Sequence, residues 1–266
     1  MCIEGSVGAN GTNTHADSLI VQILLNFNRA PALRPLITDG RTGAGTIDAL
    51  REFQAGALKI PQPDGRVDPD GRTLRALQAG IPSIAPSADI PHWIMKGIMP
   101  RARMEKICLY APFIARSMSN RQINTPLRRA YFLAQLAHES MFLTYTEELS
   151  SGEDYEGRLD LGNTEPGDGK RFKGRGLIQI TGRKNYTDYG TKIARNLVDS
   201  DNPKMLSADP SLAVDSASWY WDTKRLNIRA DIDDILGITK AINGGLNGLK
   251  DRKSILYRAK FFLKCQ

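Results

Sequence analysis

The chain has 266 residues, of which 41% are hydrophobic and 24% charged, which excludes a disordered or fibrous protein and leaves room for one or two globular domains. No apolar run approaches the roughly 18 residues that span a bilayer, and the N-terminus MCIEGSVGANGTNTHADS lacks the basic start and apolar centre of a signal peptide, so neither stable membrane insertion nor signal-peptide export is expected. The net charge of +7 lies entirely beyond residue 80: residues 1–80 carry eight Lys+Arg against eight Asp+Glu, and residues 81–266 carry 28 against 21.

Such an excess attracts polyanions in a salt-dependent way. The basic residues do not interleave with aromatics as a single-strand groove requires, so nucleic acid is not an expected partner. An anionic cell-surface polymer suits the charge. Cys2, Cys108 and Cys265 are odd in number and far apart, with no zinc-site or disulfide-scaffold spacing. They fit manufacture in a reducing cytoplasm, and a monomer is expected.

Along the chain, LIVQILLNF from Leu19 reads as a first helix, IDALREFQAGAL from Ile47 as a second, and Thr73 to Leu77 as a short third. DGRTGAGTIDAL (Asp39 to Leu50) is echoed by DGRVDPDGRTLRAL (Asp64 to Leu77), each copy an Asp-Gly turn followed by a helix-capping Thr. The unit predicted is a small three-helix domain over residues 1–82, near the lower size limit for an independent core, and better suited to binding than to a deep catalytic pocket. Its acids Asp64, Asp68 and Asp70 lack the spacing of a calcium loop and read as solvated turn carboxylates. The Pro- and Ser-rich IPSIAPSADIP predicts a linker over residues 83–93.

A larger, mostly helical domain is predicted over residues 94–266, with helices at about 101–119, 126–142, 187–197, 211–222, 231–242 and 249–263. Thr125-Pro126 and Asp209-Pro210 each place a capping side chain before a Pro at the first helical position. Between the second and third of these helices, Thr144 to Gly176 is a polar stretch with seven glycines, long enough to be functional. It leads into Leu177 to Thr181, which reads as one arm of a small hairpin.

The chemistry-bearing signal is LAQLAHESMF, Leu133 to Phe142. Helical spacing puts Phe132, Leu136 and Glu139 on one face, so Glu139 stands at the end of an apolar stripe. Desolvation and the helix C-terminus both favour a protonated carboxyl there, as a general acid requires. The structural alternative is a Glu paired with Arg128, Arg129 or an arginine from elsewhere. His138 is turned about 100 degrees away and reads as a supporting hydrogen-bond partner. With only His15, His92 and His138 in the chain and no HExxH spacing, a zinc amidase has little to work with, and neither a metal nor a cofactor is expected.

Glycoside hydrolysis needs a second carboxylate, for which the loop offers Glu147, Glu148, Glu153, Asp154, Glu156 and Asp160, and spacing does not choose among them. GKRFKGRG (Gly169 to Gly176) lacks the end of a nucleotide P-loop and reads as close approach of backbone to a polar ligand or as a structural turn, with Gln179 offering an amide donor and acceptor. In AINGGLNGLKDR, Asn243 and Asn247 suit sugar recognition or ordinary helix capping, with capping preferred. Trp219 reads as core.

Taken together and in order, FLAQLAHES, TEELS, FKGRGLIQITGRKNY and INGGLNG resemble glycoside hydrolase family 19, the chitinase and phage-endolysin group, over about residues 95–264. The first 80 or so residues more loosely resemble a helical peptidoglycan-binding domain. The resemblance implies a mainly α fold: a three-helix wall-binding domain followed by a larger lysozyme-like, chitinase-19-like helical domain with a short β-hairpin. It implies Glu139 as proton donor, Glu148 as the carboxylate that orients water, with Glu147 and then Asp160 behind it, and Gln179, Tyr186 and Asn243 in the sugar-binding cleft. The implied partner is peptidoglycan, met in the periplasm by an endolysin of a phage that infects Gram-negative bacteria. A chitinase and a noncatalytic wall-binding or phage structural protein are the rival expectations.

Overall fold

A computed structural model describes residues 2–85 and 89–265. The polar N-terminus is folded back rather than trailing: Cys2, Ile3 and Val7 are buried, and strand β1 (Val7–Gly8) pairs antiparallel with β2 (Arg66–Val67). Helix α1 (His15–Asn28) starts four residues ahead of the apolar run because Thr14 caps it, accepting the Asp17 N–H at 3.2 Å. The Asp17 carboxylate in turn takes the N–H groups of Glu4 and Gly5 at 3.1 and 2.9 Å.

The sequence echo has a physical cause in the way α1 and α2 (Ala44–Leu58) each hold the turn that follows. Gln22 of α1 donates to Asp39, to the Arg41 carbonyl and to Thr46, and accepts the Gly40 N–H at 2.9 Å. Gln54 of α2 repeats the pattern with Asp64, the Arg66 carbonyl and Thr73, and accepts the Gly65 N–H at 2.8 Å. Gly40 and Gly65 have φ of +72° and +68°, and a side chain at either would meet its neighbours at 2.7–2.9 Å, which is why both turns read Asp-Gly. Asp64 thus serves a buried amide. The third helix, α3 (Arg72–Leu77), closes the unit.

The remaining helices are α4 (His92–Ile98), α5 (Met104–Asn120), α6 (Pro126–Glu139), α7 (Asp168–Arg171), α8 (Arg183–Lys192), α9 (Met205–Ala208), α10 (Pro210–Thr223), α11 (Leu226–Asp231), α12 (Ile235–Asn243) and α13 (Leu249–Phe262). Helix α6 is central: every residue from Arg129 to Ala137 is buried, and α13 lies along it while α10 packs on α5. Both Pro-led helices are capped as expected, by Thr125 on the Arg128 N–H and by Asp209 on the Ser211 and Leu212 N–H groups. No helix is long and apolar enough to cross a membrane among the described residues.

Four local differences from expectation have identifiable causes. Helix α6 stops at Glu139, not 142, because Met141, Phe142 and Leu143 all take left-handed φ (48°, 58° and 62°). Such a run of non-glycine residues costs about 1–2 kcal/mol per residue, and Ser140 holds it, donating to the Leu136 carbonyl and accepting the Leu143 N–H. The helix expected over 231–242 is broken by Asp233 at φ 58°, with Asp234 capping the new start through the Gly237 N–H. The hairpin expected at Leu177 to Thr181 is reduced to single bridges, Glu147 with Arg175 and Arg175 with Ile180, while the paired strands lie in the N-terminal unit. Finally α4 begins inside the expected linker, where Pro91 precedes its first turn.

The two units share one hydrophobic core. Gln78 donates to the Phe261 carbonyl at 2.8 Å, Ser254 to Glu4 at 2.6 Å, and α1 rests on α4. Burial of Cys2 raises its thiol pKa far above the ordinary value. Residues 86–88 of the expected linker lie outside the described residues.

Candidate active site

Glu139 ends α6 with its side chain 16% exposed, hydrogen-bonded to the guanidinium of Arg252 from α13, which is itself only 2% exposed and also holds Gln135 one turn back on α6. The setting is therefore not purely apolar as expected: a buried positive charge faces the carboxyl. The pairing named as the structural alternative is present, with an arginine from elsewhere, since Arg128 grips Asp231 at 2.6 Å and Arg129 donates to the Ala85 carbonyl. Arg252 was legible by the same signal as Glu139, standing three and four residues before the buried Ile255 and Leu256 on one helix face. The Glu139 carboxyl uses Oε1 for Arg252, and no hydrogen bond of Oε2 is found among the described residues.

His138 supports from beneath, bonding Asp251 of α13 at 2.6 Å, and this bond holds the Asp251 carboxyl below the usual carboxylate range. Gly248 sits against the His138 ring, where an added Cβ would lie 2.3 Å away, which explains one glycine of INGGLNG.

The loop acids sort by their partners. Glu147 meets Lys173 at 3.0 Å, Arg175 at 3.3 Å and the Ser207 hydroxyl at 3.1 Å; burial works against its charge, but these groups outweigh it and lower its pKa. Glu153 pairs with Lys170, Asp160 with Arg158, and Glu156 accepts the N–H groups of Gly167 and Gly169, while Asp154 is exposed. Glu148 alone of this group combines burial with spare capacity: Oε2 accepts the Tyr155 hydroxyl at 3.0 Å, and Oε1 is buried without a protein partner among the described residues. Burial, then the Glu148 bond, raises the Tyr155 pKa and keeps that hydroxyl a donor. Tyr155 escaped the sequence reading because no periodicity links positions in an irregular loop.

Gln179 converges on the same place. A Cβ on Gly174 would lie 3.0 Å from Gln179 Oε1 and 3.1 Å from Glu148 Oε2, and Gln179 Oε1 is also buried without a protein partner among the described residues. Buried acceptors of this kind are normally matched by water or ligand donors. Gln179 is held by its own amide on the Gly176 carbonyl at 2.9 Å and by a left-handed φ of 58°.

Two expected cleft residues are tied to backbone, Asn243 through the same Asn247 carbonyl that accepts from Arg252, the partner of Glu139. Tyr186 on α8 has no exposed surface; its hydroxyl donates to the Lys173 carbonyl and accepts from Arg175, so it props the loop from below. Asn243 is exposed, but its amide donates to the Asn247 carbonyl and its oxygen accepts the Gly245 N–H, closing the turn after α12, so capping is the use the geometry shows. Two of the four basic side chains of GKRFKGRG act inward: Lys173 and Arg175 are committed to Glu147, and Arg175 is 4% exposed, while Lys170 stays on the surface with Glu153. Trp219 is core, packed on Tyr189. Among the described residues no group of His, Cys, Asp and Glu is placed to hold a metal ion.

The loop is stapled to α8 by Asp168, 1% exposed, which accepts from Arg183 at 2.5 and 2.7 Å and from the N–H groups of Thr164 and Glu165 at 3.1 Å. Burial opposes its charge, yet these donors prevail and lower its pKa below 3.8. The stabilisation is thus complete above the unfolded-state value, about 3.9, and is lost as pH falls through the lower folded value. Asp168→Asn is expected to cost about 1–2 kcal/mol, since Arg183 is 27% exposed and keeps some solvent, and to flatten the acid limb of the stability curve, as thermal unfolding between pH 2 and 7 will show.

Residues 130–250 match the family model for class I chitinases, Glyco_hydro_19. That stretch is similar to the chitinase-like domain of glycoside hydrolase family 19. It is 38% identical over 112 residues to a glycosyl hydrolase family 19 domain-containing protein of Haemophilus influenzae, covering 42% of this chain and 52% of that protein. It is 33% identical over 136 residues to an endochitinase of Arabidopsis thaliana, covering 51% of this chain and 45% of that one. The chain spans about half the length of these curated relatives. In fold, the protein resembles a bacterial family 19 chitinase with a TM-score of 0.56 at 19% identity, over 66% of this chain and 96% of that one. The mainly helical, lysozyme-like architecture of this region agrees with that likeness.

Proposed function

We propose that the protein is a peptidoglycan glycosidase that hydrolyses the β-1,4 bond between N-acetylmuramic acid and N-acetylglucosamine. Glu139 gives its proton to the leaving oxygen, and Arg252 then stabilises the carboxylate that remains. Glu148, oriented by Tyr155, activates water, with Gln179 Oε1 as a second acceptor beside it; the two roles together describe inverting hydrolysis. The observation that carries this reading is the contrast within one loop, where the other paired acids are consumed by arginines, lysines or backbone N–H groups and Glu148 keeps a buried oxygen open. The N-terminal three-helix unit, residues 1–82, is the wall anchor, and the setting is the periplasm during phage-driven lysis of a Gram-negative host.

A chitinase is the second reading, favoured by the endochitinase names of relatives such as that of Arabidopsis thaliana. Reducing-end analysis of digests separates the two. Purified peptidoglycan is expected to yield muropeptides ending in N-acetylmuramic acid, at a rate unaffected by a strong chelator, while chitin polymer stays largely intact. Release of N-acetylglucosamine oligomers from chitin with no muropeptides transfers the assignment to the second reading.

A further inference from the structure

The N-terminal unit holds a groove of about 290 Å³ between the C-terminal half of α1 and the outer face of α2, well away from Glu139 and Glu148. Its floor is apolar and finely stepped, made by Leu25, Ala49, Phe53 and Ala57. Gly56 forms part of the wall, and a Cβ built on it meets nothing within 4 Å. Gly45 of the same helix is equally open but lies off the groove, so the use of Gly56 here is that a side chain placed on it can fill the groove without clashing with the protein.

The polar groups at the groove are few. The Asn28 amide is already spent on the Leu24 and Leu77 carbonyls. That leaves Arg29, whose Nε is buried without a partner among the described residues, and Glu52, whose Oε2 lies 4.0 Å from Arg29 Nη2 with the Glu side chain 66% exposed. A pair this loose and this exposed holds together weakly and opens readily to a ligand carrying both charges. Sugar rings call for several amide or hydroxyl partners, which this groove does not offer. A short peptide with methyl side chains and a zwitterionic end matches it: methyl groups against the apolar floor, a carboxylate on Arg29, an ammonium on Glu52.

We propose that this groove binds the stem peptide of peptidoglycan through its alanine methyl groups and the free amino-acid end of diaminopimelate. The inference rests on the wall-anchor reading of the N-terminal unit and names the part of the wall it grips: the peptide, leaving the glycan to the catalytic domain. Arg29 reads the carboxylate by a charge-assisted hydrogen bond, and Gly56 admits the peptide to the helix surface.

The test uses the full chain and the free tetrapeptide L-alanyl-γ-D-glutamyl-meso-diaminopimelyl-D-alanine in isothermal titration. Saturable binding is expected, weakened about tenfold or more in Arg29→Gln by loss of the charged contact and in Gly56→Leu by filling of the groove. Both variants are expected to keep their rate on short soluble glycan, Arg29→Gln with an unchanged melting temperature and Gly56→Leu with an unchanged or higher one, since the helix loses a glycine. If the full chain ignores the tetrapeptide but sediments equally with intact sacculi and with sacculi stripped of peptide, the groove assignment is overturned and the wall-anchor reading stands. If it sediments with neither, both fall.

Discussion

Glu139→Gln is expected to slow glycosidic cleavage by about 10²–10⁴-fold, the range for loss of a positioned proton donor, and to lower the melting temperature. The amide keeps an oxygen for Arg252 but removes the charge that faces a guanidinium only 2% exposed, at a cost of up to about 3 kcal/mol. The effect should fall on the turnover rate more than on substrate affinity, because the proton is needed at the leaving oxygen only as the bond breaks. Initial rates on solubilised peptidoglycan, alongside thermal melts of both forms, check both halves. An unaltered rate would remove Glu139 from the chemistry and leave it as half of a structural ion pair, which would favour the noncatalytic rival.

Two neighbouring substitutions are expected to separate cleanly. Glu148→Gln lowers the rate by a comparable factor and leaves stability alone, since its carboxylate has a tyrosine hydroxyl as its one protein partner among the described residues. Glu147→Gln does the reverse. It strands Lys173 and the 4%-exposed Arg175, at a cost of about 1–2 kcal/mol, less than for a fully buried pair because Glu147 is itself 37% exposed. Its rate loss should track unfolding rather than chemistry. Denaturant melts and initial rates on the same preparations read both quantities, and a large rate loss with full stability in Glu147→Gln would exchange the two assignments.

How far the sequence carries depends on whether a residue sits in regular structure. Helical spacing placed Glu139 at the end of a buried stripe, and the Thr-Pro and Asp-Pro pairs placed the starts of α6 and α10, because 3.6-residue periodicity and caps are local properties. The same arithmetic applied to α13 would have found Arg252, a charge in a second buried stripe. It was missed because sequence shows which side chain is buried but not which one on another helix it meets. In the loop the limit is harder. Glu147 and Glu148 are adjacent and chemically identical, and only the fold shows that one is spent on Lys173 and Arg175 and the other left open. Tyr186 misled for a related reason: an aromatic beside a Gly-rich turn suits a sugar platform and a buried prop equally well, and its full burial decides for the prop. The N-terminal echo was visible as repeated Asp-Gly turns, yet the glutamine that fixes each one lies a helix away.

The shared core between the N-terminal unit and the larger helical domain bears on how such a protein would work on a polymer. A catalytic module on a slack leash sweeps a sphere around its anchor and cuts wherever it lands. Here α1 is seated on α4, and Gln78 is fastened to the far end of α13. On the proposed function, grip and blade are joined as in a caliper, so the spacing between anchorage and scission would be a property of the fold.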